Sequence, residues 1–291
     1  MKIGPYKVGL KQPCLFIGDI GINHNGSVKI AKNIIDLISA TSSGNDNVNL
    51  AVKFQKRDID SCVDDLVKYG KKMTPWGEMT YYEYKKRMEF GYDEYQEIDQ
   101  YCREKDIVWF ASVWDKSSVD FMEKFDTPVY KVPSAKLTDD ALLRHVRSKG
   151  RPVILSTGMS TIEEVIHAVD VLGRDDLLVM QCTSTYPAKN NELNLNVIKT
   201  YIERYGFLTG YSGHEEGLTA SIVSRMLGAV AIERHITGNR SWWGTDQGAS
   251  VGPDGFTRLI RDLNLLPDFL GDGVKKVYDS EKPIRDKLRG K

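Results

Sequence analysis

Two hydrophobic patterns alternate along the chain. The first is a set of short, nearly continuous apolar runs bounded by Gly, Pro, Asn, Asp or Ser: CLFIGDIG from residue 14, LAVKFQ from 50, IVWFAS from 107 and VYKVPS from 129. PVILST, LLVMQCT, FLTGYS and AVAIERHI continue the series. Runs of this length without polar alternation read as strands buried on both faces. Between them the apolar residues recur at helical spacing. The helical segments are VKIAKNIIDLIS with Ser27 as N-cap, residues 92–105, SSVDFMEKF, LTDDALLRHVRSKG, TIEEVIHAVDVLG, NLNVIKTYIERYG, LTASIVSRMLGA and PDGFTRLIRDLNLL. Eight strand-helix pairs with fully apolar strands predict an α/β fold, a closed (β/α)8 TIM barrel rather than an open doubly wound sheet. Residues 1–291 then form a single domain, with a β-hairpin over 1–13 capping one end of the barrel and a short basic tail at 280–291. One connection breaks the rhythm. Residues 56–90 are polar and aromatic, and a connection of that length in a tight α/β pattern predicts a functional loop over the active site.

Composition narrows the classes of partner. Lys plus Arg and Asp plus Glu both number 40, so no global field favours nucleic acid or an anionic membrane, and an anionic substrate has to be held by local charges. Cys14, Cys62, Cys102 and Cys182 form no CxxC pair, which argues against a disulfide scaffold and a structural zinc site and for reduced thiols. No apolar run approaches the length that spans a bilayer, and the N-terminus has no signal-like core, so the chain reads as cytoplasmic.

In a barrel of this kind the chemistry sits at the C-terminal ends of the strands. In order these offer Asp19, then Lys53 and Gln55, Ser112, Lys131 and Ser134, Ser156 and Thr157, Thr183 and Ser184, Ser212 and His214, and Glu233 and His235. Any single hydroxyl here is best read as a turn or cap residue. A charged or hydroxyl group at nearly every strand end is a site. Lys53 and Lys131 stand inside apolar strands, where an ammonium group needs an anion to offset its desolvation. With Ser134 and Ser156 they outline a pocket for a small, multiply charged ligand such as a phosphate plus a carboxylate. A Schiff-base lysine is the rival reading of either one. GINHNG matches neither the Walker spacing nor the dinucleotide fingerprint.

Residues 207–246 form one β-α-β unit, whose right-handed crossover brings His214 and His235 to the same rim, with Glu215, Glu233 and Asp246 close in sequence. One His at a strand end is more often a hydrogen-bonded structural residue than a ligand. Two of the chain's five His at matching ends suit a divalent metal with open coordination positions. Anion pocket, metal and carboxylate together suggest that a phosphorylated enol attacks an aldehyde, water adds, and phosphate leaves.

The motifs GINHNG, AVKFQ, YKVPSAKLTD, ILSTGMST, CTSTYP, GYSGHE and ERHIT with WGTDQGAS, in this order, resemble the sialic acid synthase family, the N-acetylneuraminate synthases and their legionaminate and pseudaminate relatives. The resemblance implies a TIM barrel that condenses phosphoenolpyruvate with an N-acyl hexosamine, typically N-acetylmannosamine, using Mn2+ first and Mg2+ or Co2+ as substitutes. It implies that His214 and His235 bind the metal, that Lys53, Gln55, Ser112, Lys131, Ser134, Ser156 and Ser212 hold phosphoenolpyruvate, and that Tyr186, Glu233 and Asp246 face the acceptor. Ser184 stands where some members have Asn. Asp19 stands where the family commonly has the Glu that handles a proton or phosphate in catalysis. Bacterial members continue into an antifreeze-protein-like domain that reaches the partner subunit of a homodimer, whereas this chain stops soon after its eighth helix. A sugar 6-phosphate acceptor giving a 9-phosphate product is the alternative within the family.

Overall fold

The computed structural model describes residues 1–41 and 44–290, and the eight apolar runs form one closed parallel barrel. Its strands are β1 (Cys14–Gly21), β2 (Val48–Lys56), β3 (Val108–Val113), β4 (Tyr130–Val132), β5 (Val153–Ser156), β6 (Leu177–Cys182), β7 (Leu208–Gly213) and β8 (Ala231–His235). Each pairs with the next in sequence, and β8 closes on β1. The outer helices are α1 (Val28–Ser39), α2 (Tyr92–Glu104), α3 (Lys116–Met122), α4 (Asp140–Ser148), α5 (Ile162–Leu172), α6 (Asn196–Glu203), α7 (Thr219–Met226) and α8 (Pro253–Leu270). Local signals set their starts. Ser27 caps α1 by accepting from the Ile30 amide, and Thr161 with Glu164 forms a capping box at α5.

Two boundaries differ from expectation. Helix α8 runs past residue 266 to Leu270, because Pro267 sits inside it where a proline in sequence reads as a stop. Part of the expected basic tail is a helix, α9 (Lys282–Arg289), with its side chains exposed. The N-terminal hairpin is present, with Lys2–Ile3 pairing antiparallel to Tyr6–Lys7. It does cap the barrel: Ile3 and Val8 pack on Leu15, Ile17, Phe110 and Leu178 at the floor of the interior. Among the described residues no helix is long and apolar enough to cross a membrane.

The strands place the site by simple alternation. Successive side chains of a strand face opposite ways, so one set lines the interior and the other packs against the helices. Along β1 the inward set is Leu15, Ile17 and Asp19; along β2 it is Ala51, Lys53 and Gln55; along β8 it is Ala231, Glu233 and His235. Apolar residues fill the lower layers and polar ones the top. Register brings neighbours level, with Asp19 opposite both His235 and Lys53, and Ser112 opposite Lys131.

The long connection after β2 has structure of its own. It contains two short helices (Ile59–Cys62 and Asp65–Lys68), a hairpin (Lys71–Thr74 with Gly77–Thr80) and a helix (Tyr81–Met88). Lys56 clasps its two ends, donating to Glu89 Oε1 and to the Phe90 carbonyl, both at 2.8 Å. It leans over the mouth of the barrel: Trp76 and Tyr84 pack edge-on against Trp243 from the loop after β8. Gly26 permits the approach on the other side, since its φ is +70° and a Cβ there would lie 2.4 Å from the Arg87 carbonyl.

Candidate active site

Every side chain singled out for this site, except Thr157, Thr183, Glu215 and Asp246, lines one cavity of about 210 Å³ at the C-terminal ends of the strands. Four buried charges dominate it. Lys53 Nζ lies 2.8 Å from Asp19 Oδ2 and 3.6 Å from Glu233 Oε1. Lys131 Nζ lies 3.9 Å from Glu233 Oε1 and donates to Ser156 Oγ at 2.6 Å and to the Val132 carbonyl at 3.2 Å. Ser212 donates to the same Glu233 oxygen at 3.0 Å. Burial opposes the Lys53 charge, but Asp19 and Glu233 hold its pKa above the ordinary value. At Lys131 burial wins over Glu233, and the pKa is lowered. Burial also opposes the Glu233 charge, yet Lys131 and Lys53 outweigh it and keep the carboxyl well below the usual range. Asp19 Oδ1 and Glu233 Oε2 are buried with no partner. The set is therefore balanced in charge and incomplete in hydrogen bonding.

His214 and His235 meet as their strand ends predict, with ring centroids 5.5 Å apart. The Thr183 carbonyl accepts from His214 Nδ1 at 2.9 Å, so a neutral ring held this way would turn Nε2 to a metal; burial opposes the ring's charge, but Cys182 and that carbonyl outweigh it and raise its pKa. Burial lowers the pKa of His235 and so favours the neutral, ligating form; its Nδ1 is buried without a partner. This donor set suits a divalent cation that takes its other ligands from substrate and water. Among the described residues no three His, Cys, Asp or Glu side chains gather as a complete metal site. Tyr186 covers both imidazoles, its ring centroid 4.1 Å from that of His214 and 5.8 Å from that of His235.

Glu215 does not join the imidazoles. It turns back beneath them, accepting from Arg234 at 2.7 Å and from the Tyr211 hydroxyl at 2.7 Å, and is buried in that pair. Arg234 also donates to the Glu215 and Gly217 carbonyls and to Ser221. Its guanidinium ties the loop that begins at His214 to the strand that ends at His235. Asp246 stays outside the cavity wall, where it accepts from the Thr245 hydroxyl at 2.7 Å, although its charge is felt at His235. Thr157 and Thr183 turn away as well: Thr157 donates to the Met180 carbonyl and Thr183 to the Glu192 carbonyl.

The cavity also holds residues that strand-end inspection missed. Trp114 and Cys182 line it, and Cys182 Sγ lies 3.6 Å from His214 Nδ1. Counting in twos would have found both, since Trp114 follows inward Ser112 and Cys182 follows inward Met180. Gly158 is a third. Its amide donates to Ser134 Oγ at 2.9 Å, and a Cβ there would lie 2.1 Å from Ser184 Oγ, so a larger residue would push the Ser184 side chain out of this place.

Comparison with known proteins places the chain in a family. A profile of the NeuB family matches residues 38–275. The N-acetylneuraminate-9-phosphate synthase of Mus musculus is 34% identical over 97% of this chain and 78% of its own length. The N,N'-diacetyllegionaminic acid synthase of Legionella pneumophila is 32% identical over 97% of this chain and 80% of its own. The crystal structure of the N-acetylneuraminic acid (sialic acid) synthetase of Leptospira borgpetersenii, in complex with citrate, superimposes with a TM-score of 0.83 at 26% identity, covering 100% of this chain and 98% of that one. With the profile spanning most of the barrel and relatives matched along nearly its whole length, this chain is an enzyme of the NeuB family.

Proposed function

We propose that this enzyme condenses phosphoenolpyruvate with the aldehyde form of N-acetylmannosamine or a related N-acyl hexosamine, taking up water and releasing phosphate to give a nine-carbon 2-keto acid. The observation that carries the reading is the pair of buried lysines, Lys53 and Lys131, at the head of a barrel whose lower layers are apolar and beside two imidazoles. Lys53 and Lys131 hold the phosphate and carboxylate of the enol, with Gln55, Ser112, Ser134, Ser156 and Ser212 as hydroxyl and amide partners. The enol C3 forms a bond to the aldehyde carbon, leaving positive charge at C2 that Asp19 and Glu233 stabilise. Water adds at C2 and gives up one proton to Asp19, which passes it to the alkoxide left on the former aldehyde oxygen. The bond from C2 to the phosphate oxygen then breaks, phosphate leaves with both bonding electrons and takes the remaining proton of the C2 hydroxyl, and the ketone remains. Tyr186 and Ser184 face the acceptor, and Asp246 reaches it from the rim. A divalent metal, Mn2+ before Mg2+ or Co2+, would be held by His214 and His235 and would polarise the aldehyde.

Two outcomes check this reading against its rivals. Incubation with pyruvate and borohydride should leave every lysine unmodified, because neither Lys53 nor Lys131 is free of a carboxylate or hydroxyl partner; a reduced adduct on either would establish the Schiff-base chemistry instead. For the metal, Mn2+ titrated into the chelated protein and followed by electron paramagnetic resonance should bind at least about 100-fold more weakly to His235→Ala than to the parent. Equal binding would remove the two imidazoles from the ligand set.

A further inference from the structure

No side chain of the GINHNG turn after β1 lines the active-site cavity, yet one of them is fixed to the loop that carries Asp246. Gly21 lets the chain turn close beside the site: its φ is +52°, and a Cβ there would lie 3.1 Å from Gln55 Nε2 and 3.2 Å from His235 Cε1. Two residues on, Asn23 is 1% exposed. Its Nδ2 donates to the Ile236 carbonyl at 2.9 Å and to Ser250 Oγ at 2.8 Å. Ser250 is buried as well, and its hydroxyl donates to the Asp246 carbonyl at 2.7 Å. Three segments thus meet at one carboxamide: the turn that follows Asp19, the residue that follows His235, and the end of the Asp246 loop.

Chemistry sets the direction of this relay. A carbonyl only accepts, so Ile236 requires the nitrogen side of Asn23; the Ser250 hydroxyl gives its one proton to Asp246 and can only accept from Asn23. A carboxamide nitrogen supplies both protons. The neck of the loop lies next to these bonds. The Val251 amide donates to the His235 carbonyl at 2.8 Å and the Thr237 amide to the Val251 carbonyl at 3.1 Å, so residues 238–250 leave and rejoin the barrel rim at adjacent points. Farther out the loop rests on the connection after β2, where Trp243 meets Tyr84 and Trp76, and Arg240 donates to Glu216 and to the Gly248 carbonyl. The charge of Asp246 is felt at His235 and at Tyr186, the two side chains beside which the acceptor has to pass.

We propose that Asn23 and Ser250 are positioning residues for the acceptor: their relay fixes the backbone of Asp246, holds its carboxylate over the sugar, and so governs affinity for the sugar and not for the enol. This rests on the condensation reading, in which Asp246 reaches the acceptor from the rim. The enol side is built separately. Lys53, Lys131 and Ser156 stand on β2, β4 and β5 and are held by one another and by Asp19 and Glu233.

Calorimetric titration of the full chain, with Mn2+ and phosphoenolpyruvate present, by borohydride-reduced N-acetylmannosamine tests it. The reduced sugar keeps its hydroxyls and N-acyl group but has no aldehyde to react. Ser250→Ala removes the middle of the relay and little volume; it should bind the reduced sugar at least about 10-fold more weakly than the parent, while phosphoenolpyruvate titrated alone binds both proteins within about twofold. Asn23→Asp, close to the same shape, sets an acceptor against the Ile236 carbonyl and the Ser250 hydroxyl and should lose at least as much sugar affinity. Unchanged sugar affinity in Ser250→Ala, an equal loss for phosphoenolpyruvate, or no binding of the reduced sugar by the parent would each overturn the assignment. The two readings fail separately: Ser250-dependent binding of the reduced sugar, by a parent protein that releases no phosphate from phosphoenolpyruvate and N-acetylmannosamine, would keep the relay and sink the condensation.

Discussion

Lys131→Met will lower kcat/KM for phosphoenolpyruvate by at least about 100-fold, on the order of 3 kcal/mol of transition-state binding, and leave the barrel folded. The loss follows from deleting a cation that has no substitute. Lys53 is committed to Asp19 at 2.8 Å, so it does not take over the second anionic group of the enol. The survival of the fold follows from the same burial. Lys131 is 2% exposed and its surroundings already disfavour its charge, so methionine of similar volume relieves that strain and leaves Glu233 its contact with Lys53. Steady-state kinetics with a thermal melt on the same sample separate the two effects. An unchanged KM for phosphoenolpyruvate would place the anion pocket elsewhere.

The second large effect is expected beneath the site. Arg234→Met should destabilise the protein by about 3–5 kcal/mol, because it strands Glu215 as a buried carboxylate whose remaining partner is the Tyr211 hydroxyl. Replacing both members, Arg234→Met with Glu215→Leu, should recover most of that loss, since a well-packed apolar pair avoids the desolvation of both charges. Denaturant unfolding of the two single variants and the double variant reads the coupling directly. If the double variant is as unstable as Arg234→Met, the pair is not what holds these loops, and the bonds from Arg234 to the Gly217 carbonyl and Ser221 carry the stability.

Much of this architecture is legible in the sequence because a parallel barrel buries both faces of its strands, which makes each strand a short apolar run. That same property hides the alternation that chooses the site. In FLTGYSGHE the inward and outward residues look alike, and Glu215 reads as a neighbour of His214 although it folds back to pair with Arg234. The lysines stand out because a charge inside an apolar run has few explanations. Trp114 and Cys182 do not, since an aromatic or a thiol in a buried strand fits the core equally well. Asp246 is displaced for another reason: it lies on the loop after β8, and the loop's path depends on how Trp243 packs against Tyr84 and Trp76 some 160 residues earlier, about which local spacing is silent.

The measurement that bears most directly on the account is a stoichiometric product assay on the metal-loaded enzyme. Phosphoenolpyruvate and N-acetylmannosamine, or its 6-phosphate, are added together and singly, and released phosphate and nine-carbon 2-keto acid are quantified in the same tube. Condensation in this cavity predicts equal amounts of the two products with both substrates present, and neither product with one substrate alone. Phosphate released from phosphoenolpyruvate without an acceptor, or a keto acid formed from pyruvate without phosphate, would contradict it.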